Sequence, residues 1–321
     1  MAQHFLLSAK ARTLSLASVL RMSDEEAHAT FVAIRWAANE GKPFCPHCGC
    51  VEVYTYAARR IFRCKACVRQ FSVTSGTIFS SRKLPIRDYL AAIAIFCNGA
   101  KGVSALQLGR DLDVQYKTAF VLAHKLREAV GATLDDGTEL KDAVEVDGAY
   151  FGGHSKPANE IAERKDRRLA EEQTGKRQVV VIIRERNGRA LPFVTKKESD
   201  GIPLIRKHVA SGTIIYADES RQWDALHAAY DTRRINHSTE YARDDISTNQ
   251  AESYFSRLRR AEIGTHHHIS GPYLSAYSNE MAWRENNRRV DTKGQWTAMT
   301  GAALSHPKSR AWAGYWQRNA A

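Results

Sequence analysis

A chain of 321 residues is too long for one small domain and long enough to bury at least one sizeable core, so two or three domains are expected. Its 47 Lys and Arg against 35 Asp and Glu give a formal charge of +12, a balance that suits a polyanionic partner. It holds no run of about 18 uncharged apolar residues, and the stretch HFLLSAKARTLSLASVL is broken by Lys10 and Arg12, unlike a secretory h-region; a soluble protein that meets no membrane and stays inside the cell is expected.

Residues 1–42 read as an N-terminal helical segment. In SDEE, Ser23 and Glu26 are spaced for a capping box that opens a helix carrying Phe31, Val32 and Ile34 and stopping at Gly41. Residues 43–80 form the cysteine module. CPHCGC supplies Cys45 and Cys48, CKAC supplies Cys64 and Cys67, and 15 residues separate the two Cys-x-x-Cys knuckles. Zn²⁺ favours four ligands in a tetrahedron, and each knuckle offers two thiolates to one ion, so the spacing predicts a zinc ribbon with a hairpin over YTYAARRIFRC and a structural Zn²⁺. Cys50 is the weaker alternative to Cys48, and Cys97 in AIAIFC is expected in the core. Arg59, Arg60, Arg63, Lys65 and Arg69 crowd the ribbon with Tyr54, Tyr56 and Phe62 interleaved, a surface suited to phosphates or else simply solvated.

Residues 81–130 read as helical. In GVSALQLGRDLDVQYKTAFVLAHKLREA a short helix ends near Leu112, Asp113 and Val114 turn, and a second helix begins at Gln115, the pattern of a helix-turn-helix. Ala119, Leu122, Ala123 and Leu126 make its buried stripe. Gln115, Tyr116, Lys117 and Thr118 are left at the exposed N-terminal end, where a recognition helix reads base edges; an ordinary helical hairpin is the competing reading. Residues 131–142 (GATLDDGTELKD) read as a linker.

From 143 to 270 strands and helices alternate. AVEVDGAYFGG predicts a strand with Asp147 near its end, RQVVVIIRERNG and RALPFVTKK a hairpin, IPLIRKHVA a helix, GTIIYADES a strand ending in Asp218, WDALHAAY a helix and RRINHS a short strand. This order matches a ribonuclease H-like α/β domain, in which Asp147 and Asp218 end neighbouring strands. The charged segment 154–178 is expected to be a long loop. TNQAESYFSRLRR predicts a helix capped by Ser247 or Thr248, with Ala251, Phe255 and Leu258 buried; Asn249, Glu252, Ser256 and Arg259 share a second face. Carboxylates converging from Asp147, Asp218 and Glu252 can hold a pair of Mg²⁺ ions, with Arg259 as a phosphate clamp; the competing reading of that face is a solvated one with local ion pairs.

The combination CPHCG with CKAC, FSVTSGTIF, EVDGAYFGG, YADE and TNQAESYFSRLRR followed by GTHHHIS resembles transposases of the IS1595 family, the ISXO2-like group of bacterial insertion sequences, over roughly residues 20 to 290. The resemblance implies a multidomain chain: an N-terminal zinc ribbon, a helix-turn-helix and an α/β ribonuclease H-like DDE catalytic domain that cuts the element's ends and joins them to target DNA. It makes Asp147 and Asp218 the first two ligands of the catalytic Mg²⁺ (or Mn²⁺) ions and Glu252 the third, with Arg259 beside them. Some relatives carry Asn as the third residue, which leaves Asn249 as the alternative ligand; a carboxylate binds Mg²⁺ better than an amide. Many relatives carry Glu after the first aspartate, where this chain has Gly148.

Three consecutive histidines, His266, His267 and His268, cannot all face one ion from a regular element, and one or two of them are expected to touch DNA or a neighbouring loop. Residues 271–321 read as a basic C-terminal helical tail, with Trp283 of MAWRENNRR packed and Arg284, Arg288 and Arg289 facing phosphate or solvent. Double-stranded DNA is the expected partner, as element ends and as target, with at least a homodimer bringing two ends together in a bacterial cytoplasm, at the nucleoid. The rivals are a non-enzymatic, domesticated DNA-binding regulator and a structure-selective nuclease on the same fold.

Overall fold

The computed structural model describes residues 5–152, 158–165, 177–235 and 247–318. Helices α1 (Leu16–Leu20) and α2 (Asp24–Arg35) lead into strands β1 (Val53–Tyr56), β2 (Ile61–Cys64) and β3 (Gln70–Ser72), followed by α3 (Ile86–Asn98), α4 (Ala105–Asp111) and α5 (Tyr116–Gly131). Then come β4 (Ala143–Phe151), β5 (Gln178–Glu185), β6 (Ala190–Thr195), α6 (Ile202–His208), β7 (Ile214–Asp218), β8 (Asp231–Ile235), α7 (Asn249–Ala261), α8 (Leu274–Asn286) and α9 (Thr292–Ser305). The chain divides into two compact units, one of residues 1–133 with 287–321 and one of residues 134–286.

In the first unit the capping box of α2 is complete: Ser23 accepts from the Glu26 amide at 3.1 Å and Glu26 accepts from the Ser23 amide at 2.7 Å. The strands form a three-stranded antiparallel sheet, β1-β2-β3, whose first two strands are the hairpin expected between the cysteine knuckles. Phe62 on β2 is buried against Trp36 and Phe71, so this ring belongs to the core and not to the exposed basic surface. Cys97 is likewise buried, in α3, its thiol 3.8 Å from the Met299 sulfur on α9. Trp296 of α9 donates its indole N–H to the Leu90 carbonyl at 3.0 Å. Residues 287–318 are therefore not a free tail: α9 packs on α2, α3 and α5.

The second unit is built on a five-stranded mixed sheet in the order β6-β5-β4-β7-β8. β4, β5 and β6 are antiparallel, while β7 and β8 run parallel to β4. The near-continuous apolar run of β5, buried from Val179 to Ile183, reflects a central strand covered on both faces. The expected linker is only partly one, because Leu140 is buried and exchanges backbone hydrogen bonds with His208 and Ala210 beside α6. WDALHAAY winds as 3-10 turns over Arg221–Ala228 instead of an α-helix; its buried Trp223 and Leu226 are three apart, the spacing that stacks on one face of a 3-10 helix. The expected long loop at 154–178 lies for the most part outside the described residues, as does the end of the RRINHS strand beyond Ile235.

α8 also departs from the expected tail. It packs on β6, burying Trp283, and its Arg284 is buried and paired with Glu280 at 2.8 Å, so that guanidinium serves the interior and not a phosphate. Glu285 of α8 receives Arg184 from β5 at 3.4 Å and Arg257 from α7 at 2.8 Å, tying sheet and helices together.

The start of α7 is fixed from outside the helix. Neither Ser247 nor Thr248 caps it with a side chain. Instead Glu145, a buried residue of β4, accepts from the Gln250 amide at 2.7 Å and the Ala251 amide at 3.0 Å through one oxygen, and from Arg186 Nε at 3.1 Å through the other. Arg186 in turn donates to the Ser247 carbonyl at 2.9 Å and lies 3.7 Å from the centre of the Tyr216 ring. A carboxylate at a helix N-terminus satisfies orphan amides and opposes the positive end of the helix dipole. Burial pushes the Glu145 carboxyl up, against the pull of the two amides and Arg186. Glu145→Ala, which leaves two amides and a guanidinium without their acceptor, should lower unfolding stability by roughly 3 kcal/mol, read by urea denaturation.

Candidate active site

Strand β4 points alternate residues to one side, so Glu145 and Asp147 share a face. β4 pairs in parallel with β7, Val146 opposite Ala217, which brings Asp147 and Asp218 to the next position of both strands. Asp147 accepts the Gly148 amide at 2.7 Å and Asp218 accepts the Ser220 amide at 3.1 Å. α7, held at its first turn by Glu145, brings Glu252 close enough for its charge to act on Asp147. Asp147 is pushed up to about 7, first by burial and then by the negative charges of Asp218, Glu198 and Glu252, while the Gly148 amide pulls the other way. Three further carboxylates thus act on Asp147, which stands in the middle of β4 and not near its end as expected, because the strand continues to Phe151 in its pairing with β5; Asp218 does end β7.

Asp147, Asp218 and Glu252 are the acids expected from sequence. Glu198 was not expected: it stands in the 3-10 turn Glu198–Gly201 between β6 and α6, with no pattern around it in ESDG that sets it apart from a surface acid. Burial also raises its carboxyl, followed by Asp218, with the Ser220 hydroxyl opposing. Asn249 and Arg259 are both exposed on α7, as is Glu252, and the α7 side chain whose charge reaches Asp147 is Glu252. The buried stripe of α7 is as expected, with Ala251, Phe255 and Leu258 joined by Tyr254 and Ala261. An all-oxygen set of acidic side chains is the donor chemistry that fits hard divalent cations such as Mg²⁺.

The zinc ribbon holds a different donor set. Among the described residues, Cys45, Cys48, Cys64 and Cys67 are the one group of three or more thiols, imidazoles and carboxylates whose ligand atoms all lie within 4.8 Å of one another. The Cys45 and Cys67 sulfurs are 3.6 Å apart and those of Cys48 and Cys64 3.5 Å, too far for disulfides and close to the edge, about 3.8 Å, of a tetrahedron with 2.3 Å Zn–S bonds. Cys50 stands outside the group, its thiol directed at the Glu52 carbonyl. The ribbon's cations are partly engaged: Arg60 pairs with Glu25, Lys65 pairs with Glu52 at 3.1 Å, and Arg63 donates to the Val68 carbonyl at 3.3 Å. Arg59 and Arg69 are exposed.

α4 and α5 meet through the expected turn, where Asp113 takes a left-handed φ of 50°. Ala119, Leu122, Ala123 and Leu126 are buried, and Gln115, Tyr116, Lys117 and Thr118 are exposed. Gln115, Lys117 and Thr118 line a cavity of 510 Å³ together with Lys125, Lys308 and Trp316, and the Lys117 ammonium lies 5.2 Å from the centre of the Trp316 ring. The histidines do not converge: His266 packs edge-on against Tyr277 at 4.6 Å, while His267 and His268 line a cavity beside Tyr150 and Glu262. No helix among the described residues is long and apolar enough to cross a membrane.

Comparison with known proteins covers both units. Residues 139–286 match the family model of the ISXO2-like transposase domain, and residues 22–70 match that of the IS1595 transposase zinc-ribbon domain. A protein of Halobacterium salinarum described as an uncharacterized protein in transposable element ISH50 is 27% identical over 272 residues, 77% of this chain and 90% of that protein. An uncharacterized transposase-like protein of Haemophilus influenzae is 28% identical over 93 residues, 29% of this chain and 75% of that one. Among solved structures, the Mos1 strand transfer complex aligns with 64% of this chain and 78% of its own at 9% identity, with a TM-score of 0.22 that carries no argument about the fold.

Two measurements test these donor sets. Metal analysis of the purified protein should find one zinc per chain, and Cys64→Ala should lose it and lower the melting temperature. In zinc-loaded protein without added Mg²⁺, Asp147→Asn should melt higher than wild type at pH 8. A carboxyl whose folded value is raised costs stability as pH climbs toward about 7, so the gap between the two proteins should narrow toward pH 4.

Proposed function

Since the chain belongs to the IS1595 family and joins its zinc ribbon to an ISXO2-like transposase domain, we propose that it is a DDE-type DNA transposase that binds the inverted-repeat ends of its element and catalyses metal-dependent strand cleavage and strand transfer. The observation that carries this reading is that Asp147 and Asp218 come side by side from the adjacent parallel strands β4 and β7, with Glu252 of α7 close enough for its charge to act on Asp147. The sheet order β6-β5-β4-β7-β8, with its first three strands antiparallel and the last two parallel to β4, supports a ribonuclease H-like domain.

In this reading Asp147, Asp218 and Glu252 hold two Mg²⁺ or Mn²⁺ ions, and Asn249, one turn earlier on α7, is the alternative third ligand. Bound there, the pair of cations would activate a water or a 3′-hydroxyl and stabilise the leaving oxygen of a phosphodiester. The protein's own groups bring the acids to one point, through β-sheet register and the Glu145 cap. Arg259, seven residues beyond Glu252 on the exposed side of α7, is placed to meet the phosphate backbone.

The α4–turn–α5 pair acts as a helix-turn-helix, with Gln115, Tyr116, Lys117 and Thr118 presented to the major groove. The zinc ribbon adds phosphate contacts through Arg59, Arg60, Arg63 and Lys65, those now paired with carboxylates exchanging them for DNA. Two element ends must be held together, so the working assembly is at least a dimer. Its place is the cytoplasm, on the nucleoid.

A labelled duplex of one flanking inverted repeat, incubated with Mg²⁺, tests the reading. Wild type should cut at the repeat boundary, while Asp147→Ala and Glu252→Gln should each lose activity by at least about a hundredfold. Binding with no cutting by any of the three would leave a DNA-binding regulator, and cutting of junctions without regard to the repeat would leave a nuclease. Cutting that survives Glu252→Gln and not Asp147→Ala would assign the third ligand to Asn249.

A further inference from the structure

Gly148 follows Asp147 on β4, and the space beside it is filled by a side chain from elsewhere. A Cβ at position 148 would lie 2.5 Å from Glu198 Cγ, 3.0 Å from its Cδ and 3.1 Å from its Oε1. Glu198 comes from the turn after β6, and that turn lies directly on the sheet: a Cβ at Gly201 would meet Val181 Cγ1 at 2.9 Å. Val181 is the residue of β5 paired with Gly148. Two glycines, one on the strand and one in the turn, therefore permit the same close approach, which a side chain at either position would obstruct.

The approach carries a carboxylate into the site. Glu198 is only 9% exposed, which is unusual for an acid in a short connecting turn. Its Oε2 accepts from the Ser220 hydroxyl at 3.5 Å, and the amide of that serine donates to Asp218 at 3.1 Å, so one residue bridges the two acids. The turn itself is fixed by the Lys197 amide on Asp200 at 3.0 Å and the Ser199 amide on Gln222 at 3.2 Å.

Resting on the transposase reading above, we infer that Glu198 is a fourth carboxylate of the metal-holding set, delivered across the strand into the space that Gly148 leaves open. In this chain position 148 thereby requires a residue without a side chain, and the fourth acid enters from the β6–α6 connection. Ser220 sets the orientation of Glu198 relative to Asp218.

The test uses full-length, zinc-loaded protein and titrates Mn²⁺, reading free ion by electron paramagnetic resonance, so that no DNA and no turnover are needed. Glu198→Gln keeps the shape and removes the charge; it should keep the wild-type circular dichroism spectrum and bind Mn²⁺ at least about tenfold more weakly. Gly148→Ala, which pushes Glu198 out, should weaken Mn²⁺ to a similar extent with every acid still present. Asp147→Asn is the control for the site as a whole. Unchanged binding by Glu198→Gln beside weakened binding by Asp147→Asn overturns the role of Glu198 and leaves the transposase reading standing. Unchanged binding by both removes the metal site, and the inference with it. If Gly148→Ala does not fold, Glu198→Gln decides the question.

Discussion

The buried carboxylate of Glu145 is the constraint on which the site's geometry depends. It accepts two amides from the first turn of α7 and a guanidinium from Arg186, and so fastens the helix to the strand that also carries Asp147. A helix packed only by its apolar stripe could slide or turn by part of a residue; one whose terminal amides end on a fixed acceptor cannot. Glu252 lies two residues beyond the first of those amides, so its distance from Asp147 is set at the cap. Stabilising and positioning are here the same contact: the group that satisfies the helix N-terminus also sets where the helix presents its acid.

Around that anchor the site accumulates negative charge. Asp147 and Asp218 come together through parallel pairing of β4 with β7, Glu252 through the capped helix and Glu198 through a turn pressed onto the sheet. Burial first, and then the like charges gathered beside it, disfavour an ionised Asp147, and its upward shift expresses both. Elsewhere in the unit the buried Arg184 and the half-buried Arg257 meet at Glu285, and Arg284 meets Glu280, so these interior charges are paired. The acids gathered around Asp147 suit a place that takes up divalent cations and polyanionic substrate.

The first unit follows a different logic. Its ribbon is small and has a modest aromatic core of Trp36, Phe62 and Phe71, which a four-thiolate cluster supplements as a staple. Part of its positive charge is already neutralised by Glu25 and Glu52, and the exposed end of α5 shares a cavity with lysines and the Trp316 ring. The helices that carry these features are buttressed by α9, which the sequence placed in a tail: its Trp296 and Met299 reach α3 some two hundred residues earlier.

Read alone, the sequence determined what depends on local spacing. Paired Cys-x-x-Cys knuckles, the Ser23 and Glu26 box, the buried stripes of α5 and α7 and the valine-rich strands all express short-range geometry, and the structure reproduces them. Asp147, Asp218 and Glu252 stood out as candidates from their strand and helix-face patterns, although β4 continues past Asp147 to Phe151. Glu145 and Glu198 were not. One reads as an acid inside a strand and the other as an acid in a turn, and their roles arise from partners at 250, 251, 148 and 220, which no periodicity connects to them. The cap of α7 was misassigned to Ser247 or Thr248 for the same reason, since a carboxylate from another strand supplied what a neighbouring hydroxyl was expected to supply. Arg284 and Phe62, expected at the surface, went inside because Glu280 and Trp36 were there to receive them. Tertiary structure alone decided these cases, because a buried polar or charged group is tolerated only where a partner meets it, and the partner's place along the chain is arbitrary.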